Sequence, residues 1–280
     1  MLIHRSRSPL RGLLVASLLV VVSLAAAASA QATTLPTLTL TLTKTTITVG
    51  GSLQSGAVNV VSSGTGLKEA SAILFLMKPG VTDAEAEAVL KKPVKDPNST
   101  SKYGSIVFDA EVPSHGRNET QTYLQPGNYF ALEPGEGSGA KAFTFFTVTA
   151  AASPVALPTP EATIRSIEFG FRGPKVLHDG ELVRFENEGF LVHMDFAIPV
   201  SSKRHAEDAV RYLLEGKEKA LEKVITGEPA AFAGPLSHEA FQQEIITAKP
   251  GWYVQLCFME TQDGRDHTLL GMERIIKIVK

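Results

Sequence analysis

The chemistry available to this chain rests on four residues of soft or borderline donor type. Cys257, the only cysteine, stands ten positions before His267 and fifteen before Met272 in the stretch CFMETQDGRDHTLLGM, and His193 stands upstream in FENEGFLVH. Thiolate, imidazole and thioether are donors that a copper ion selects, two imidazoles and a thiolate making a trigonal plane and a weakly held thioether its axis. Such a set serves both Cu(I) and Cu(II), so an electron can come or go while the ligands scarcely move. It creates no open position for a substrate, which favours electron transfer over bond-making catalysis.

Four residues so far apart must be gathered by a fold. In the second half the stretches IRSIEFGF, LVRFENEG, LVHMDFAI, QQEIITA, GWYVQLCF and MERIIKIV carry β-branched and aromatic residues between turn signals, which predicts a sandwich of two antiparallel sheets. His193 ends or interrupts one strand, Cys257 closes another, and the loop FMETQDGRD brings His267 back before a last strand that starts at Met272. Adjacent strand ends and their connecting loop can converge at one pole. Between the third and fourth strands, Ser202 can cap a helix whose apolar stripe is Ala206, Val210, Leu213 and Leu214.

The first half repeats the pattern. LFLMKPGVTDAEAEAVLKK (74–92) lies over DFAIPVSSKRHAEDAVRYLLEG (195–216), with a one-residue slip, and YLQPGNYFAL (123–132) over ITAKPGWYVQL (246–256). DAEAEAVLKK repeats the helical insertion. The expected organisation is therefore all-β, with two Greek-key sandwiches over 33–150 and 164–280, each carrying a short helical insertion, joined by the Pro-rich linker 151–163. Register puts Ala72 where the second copy has His193 and Glu133 where it has Cys257, and residues 133–148 hold no His, Cys or Met. The first copy is read as a domain of structure or partner contact.

These motifs resemble the cupredoxin, or blue copper, family over about residues 164–280, and more weakly in the first copy. FENEGFLVH resembles the family's stretch in which an Asn precedes the first histidine ligand, PGWYVQLCF its Pro-Gly-x-Tyr approach to the cysteine, and HTLLGM its closing His-x4-Met. The resemblance implies His193 and His267 as equatorial ligands, Cys257 as the electron path, Met272 as the axial ligand, and a redox or copper-handling protein as partner, docking near the His267 loop. The nine residues between Cys257 and His267 exceed the plastocyanin-like spacing and come nearer that of copper nitrite reductases, and Met194 stands where the family commonly has Asn. A trinuclear oxidase cluster has no paired His-x-His motifs to stand on. A catalytic copper between subunits would have to draw on His178, His205 or His238.

Each of the four residues also has a plainer reading: His193 as a hydrogen-bonded strand histidine, Cys257 and Met272 as core, and His267, in DGRDH, as an exposed loop residue. The competing class is an extracellular sandwich without metal, used for adhesion or partner binding. Export is expected in either case, because Arg5, Arg7 and Arg11 precede an apolar run that ends in Ala28-Ser29-Ala30, so that residues 1–30 read as a secretory signal. No second stretch is long and apolar enough to span a bilayer. Of 27 basic residues three leave with the signal, against 29 acidic ones, and nothing forms the basic patch that nucleic-acid binding needs. Asn98 and Asn118 begin glycosylation-type triplets.

Overall fold

The computed structural model describes residues 34–280 except 69 and 136; the expected signal at 1–30 lies outside the described residues. Strands in the first half are β1 (Thr37–Leu42), β2 (Ile47–Gly51), β3 (Gly56–Gly64), β4 (Ala70–Met77), β5 (Gly104–Val112), β6 (Arg117–Leu124), β7 (Gly127–Glu133) and β8 (Ala142–Val148), with helix α1 (Asp83–Leu90) between β4 and β5. The second half holds β9 (Ala162–Ile167), β10 (Gly170–Arg172), β11 (Val176–His178), β12 (Leu182–Asn187), β13 (His193–Val200), helices α2 (Lys203–Leu214) and α3 (Glu218–Leu221), then β14 (Ala230–Leu236), β15 (Phe241–Ile245), β16 (Gly251–Leu256) and β17 (Glu273–Val279). The chain is mostly β, as its period-two patterning demands: in β1, TLTLTL, Leu38, Leu40 and Leu42 are all buried while the threonines alternate outward.

Residues 35–280 form one compact unit. One eight-stranded sheet, β10-β9-β12-β15-β6-β3-β1-β2, runs through both halves, and each half lays its own second sheet against its share: β5-β4-β7-β8 in the first, β11-β17-β16-β13-β14 in the second. The join is made where Gln243 of β15 pairs with Gln121 of β6, the Gln243 amide donating to Gln121 Oε1 at 2.9 Å. The segment 151–163 is held along this join, since Val155 accepts from the Ala57 N–H at 2.9 Å and Pro158 accepts from the Gln243 amide at 3.1 Å.

Each half packs an apolar core between its sheets, with further buried clusters beneath α1 and α2. The first gathers Leu38, Leu40, Leu74, Phe108 and Tyr129; the second gathers Ile164, Phe185, Phe232, Tyr253 and Ile278, with the rings of Phe185 and Phe232 stacked 5.5 Å apart. Each large side chain so buried contributes roughly 1.5–3 kcal/mol. Both copies of the Pro-Gly-x-Tyr motif do the same work. The Tyr129 hydroxyl donates to the Gln125 carbonyl at 2.9 Å and the Tyr253 hydroxyl to the Lys249 carbonyl at 2.7 Å, each bond pinning the strand to the turn four residues before it.

Both helical insertions form on the outer faces. Thr82 closes a capping box with Glu85 at the start of α1, and the Ser202 side chain accepts from the His205 N–H at the start of α2. Ala206 and Ala209 are the residues α2 buries, with Val210 and Leu213 partly covered, whereas Leu214 is 47% exposed and leaves the expected stripe. Two strand readings change as well. IRSIEFGF is broken after Ile167 into a hairpin of β9 and β10, and AAFAGPL, which is not among the expected strands, is strand β14 beside β13.

Candidate metal centre

At one pole of the second half, three chain segments bring donors together. His193 opens β13, Cys257 directly follows β16, and His267 opens a single 3-10 turn, His267–Leu270. Antiparallel pairing of β13 with β16 aligns Phe196 with Leu256, so the residues just beyond that pair lie together. The returning loop is tied back to the strand end: the His267 N–H donates to the Met259 carbonyl at 2.8 Å, and the Thr268 hydroxyl and N–H both donate to the Cys257 carbonyl, at 2.8 and 3.1 Å. Gly271, at φ +101°, then reverses the chain into β17, a conformation that any residue with a Cβ adopts only with strain.

Cys257 Sγ lies 3.5 Å from His267 Nδ1 and 3.9 Å from His193 Nδ1, and the two Nδ1 atoms are 3.1 Å apart. The circle through three points so spaced has a radius of about 2 Å, the length of metal bonds to imidazole nitrogen and thiolate sulfur, about 2.0–2.3 Å. All three side chains are buried, and among the described residues they form the one group of histidine, cysteine or carboxylate donors close enough to hold an ion. His267 is fully covered, with the Phe169 ring 5.0 Å from its own, so the exposure that DGRDH suggests is not found: the loop is polar, but its last residue is drawn under the hairpin turn between β9 and β10.

Met272 is fully buried, and its backbone is bonded to both partners, the carbonyl accepting from the Cys257 N–H at 3.3 Å and the N–H donating to the His267 carbonyl at 3.0 Å. His178, His205 and His238 stay out of the cluster. His178 pairs with Glu181, His205 stands in α2, and the His238 ring bonds the Gly189 carbonyl at 2.8 Å. Ala72, in the first half, is a core residue and Glu133 bonds Lys141 at 3.4 Å.

The groups that orient the donors were only partly legible beforehand. Glu168 Oε1 sits 3.3 Å from His193 Nε2 and accepts the Leu191 N–H at 2.7 Å, which fixes the ring with Nδ1 turned inward. Gly189 is required beside it, since a Cβ there would stand 2.7 Å from His193 Nε2. Asn187, in FENEG, bonds the Leu191 and Leu236 carbonyls at 2.7 Å each and the Gly189 N–H at 2.9 Å, which explains why an amide is needed before the histidine. Asn98, read in sequence as the start of a glycosylation triplet, instead accepts the Val192 N–H at 2.7 Å and so steadies the approach to His193 from the first half. The Met194 N–H points at Cys257 Sγ, 3.4 Å away.

Burial sets the protonation. It pushes the Cys257 thiol up to about 12, against the pull of the Met194 and Met259 N–H groups, and holds His267 down to about 4, helped by His193. It also lowers His193, the nearby Glu168 opposing. Glu168 itself stays below the usual carboxylate range although burial works the other way, because Leu191 and His193 donate to it. Both imidazoles are therefore neutral near pH 7 and present lone pairs. His267 Nε2 has no hydrogen-bond partner among the described residues. If the proton sits there, Nδ1 is free to face the common point, so the donor set fits a soft cation better than it fits its own hydrogen bonds.

No protein-family model and no curated protein matches the chain. Solved structures that resemble it include auracyanin B (17% identity over 45% of this chain and 94% of that one, TM-score 0.26), a dithionite-reduced auracyanin from Roseiflexus castenholzii (17%, 42% and 95%, TM-score 0.27) and a copper-containing nitrite reductase from Thermus scotoductus SA-01 (13%, 87% and 68%, TM-score 0.25).

Proposed function

We propose that His193, Cys257, His267 and Met272 would hold one copper ion, in the second of two cupredoxin-like sandwiches, and that the protein carries single electrons or handles copper outside the cytoplasm with a redox or copper-handling protein as partner. The observation that carries this reading is the convergence of one sulfur and two imidazole nitrogens on a circle of about 2 Å radius. Copper supplies a one-electron couple there. The chain supplies the rest: two strands and a turn tied to them fix the donors, Glu168 and Asn187 set the His193 ring, and Phe169 excludes water from His267. A buried, closed donor set suits electron transfer better than catalysis.

The reading is tested by loading the protein with Cu(II). One copper per chain and a strong visible thiolate-to-copper charge-transfer band are expected; protein that takes up no stoichiometric metal and shows no band would return the chain to the extracellular module without metal. Removing the bond that fixes His193, in Glu168→Ala, is expected to weaken copper binding about 10- to 100-fold in competition with a chelator while leaving the stoichiometry at one. An affinity unchanged by that substitution would show that Glu168 has no orienting role.

A further inference from the structure

A cavity of about 780 Å³ lies between the halves, outside the metal centre and independent of any metal in it. On one side stand the outer face of β4, β5 and β7 and helix α1; on the other stand β13 and β14. The two halves meet along its floor, where the Ile106 N–H donates to Ser237 Oγ at 2.9 Å and the Ser237 N–H to the Ile106 carbonyl at 3.0 Å. The volume falls within the range of about 300–1,000 Å³ typical of small-molecule sites. Ile73, Phe75, Phe130 and Leu132 give it an apolar wall, with the Phe75 and Phe130 rings stacked 4.7 Å apart.

Into this wall the fold places a carboxyl. Asp109 is 3% exposed, its Oδ1 accepts the Ser71 hydroxyl, and its backbone N–H donates to Gln242 Oε1 at 3.1 Å. Oδ2 has no hydrogen bond, and no lysine or arginine pairs with the group, among the described residues. The second half makes room for it with a glycine, because a Cβ on Gly234 would come within 2.3 Å of the Asp109 carboxyl carbon. Burial pushes Asp109 up to about 7, the signature of a charge without its counter-ion. The other charged residues of the lining leave an acidic balance: Glu111 and Glu228 have no partner in the lining, Glu133 bonds Lys141 at 3.4 Å, and Lys92 is exposed. A buried carboxyl costs least when a cation meets it.

We propose that this cavity binds a small organic amine, its apolar body against Phe75 and Phe130 and its ammonium group on Asp109. The site shares one residue with the metal centre, since Met194 lines the cavity and donates its N–H to Cys257 Sγ, but its occupancy does not depend on the copper reading.

Calorimetric titration of the full chain, with and without copper, with 1-naphthylmethylamine, 1-naphthalenemethanol and 1-naphthoate tests it. The amine is expected to bind one to one, about tenfold or more tighter than the alcohol, as a charge-assisted bond to a buried partner requires, and the carboxylate not at all. Asp109→Asn should erase the preference for amine over alcohol. Val89→Trp, a half-buried position on α1 that lines the cavity, should abolish binding of both and keeps the test decisive should the asparagine variant not fold. No binding of the amine, equal binding of the carboxylate, or an amine affinity that neither substitution changes would overturn the proposal.

Discussion

Cys257→Ser is expected to abolish the visible band of the copper-loaded protein and to cut copper affinity by orders of magnitude, with little change in the fold. Serine replaces a soft thiolate by a hard hydroxyl that stays protonated, so the charge-transfer donor and the strongest ligand vanish together. The side chain is fully buried and its sulfur accepts weak contacts from the Met194 and Met259 N–H groups, so the cost in stability is on the order of 1–2 kcal/mol. A second readout separates loss of the thiolate from general damage. With the thiol held up near 12 and both imidazoles neutral, copper loading of the wild type at pH 7 releases about one proton per ion, measurable in buffers of different ionisation enthalpy. The serine variant should release none. A variant that keeps the band would remove Cys257 from the centre.

The second large effect concerns pH and stability. Burial pushes Asp109 and Asp195 up to about 7, Asp109 against a hydrogen bond from Ser71 and Asp195 against one from Gln255 and the charge of Arg274. In the unfolded chain an aspartate titrates near 4, so between about pH 4 and 7 the folded protein binds more protons at these sites, and stability falls as pH rises through that window. The buried histidines run the other way: His193 and His267 are lowered in the fold, so acid below about 6.5 protonates the unfolded chain first and costs stability. The two ramps oppose each other in the wild type, and a variant isolates one of them. Asp109→Asn should be no more stable than the wild type near pH 4.5 but gain on it up to pH 8, by on the order of a few kcal/mol, read from urea midpoints of the metal-free protein. A difference that does not grow with pH would mean that Asp109 is not desolvated as its surroundings imply.

The cluster of His193, Cys257 and His267 was legible because residue type and spacing carry it: one cysteine and two histidines near strand ends leave few arrangements. The Ser202 cap was legible for the same reason, being local chemistry between residues three apart. What escaped depends on neighbours distant in sequence. Glu168 lies in IEFGF, which by alternation continues a strand, and only the hairpin between β9 and β10 turns it over His193. His267 follows four polar residues, and its burial comes from Phe169, nearly a hundred positions earlier. The shared sheet hangs on Gln121 meeting Gln243, a pair that no periodicity announces. Asn98 looked like a surface acceptor because the amide's partner, Val192, belongs to the other half.

The eight-stranded sheet also bears on mechanical behaviour. The strand order continues from β15 of the second half to β6 of the first, so the two halves are joined within the sheet as well as through segment 151–163. Opening between the halves would have to break the Gln121–Gln243 bridge and the paired Ile106–Ser237 bonds together, so any such motion would strain the sheet itself and not a linker.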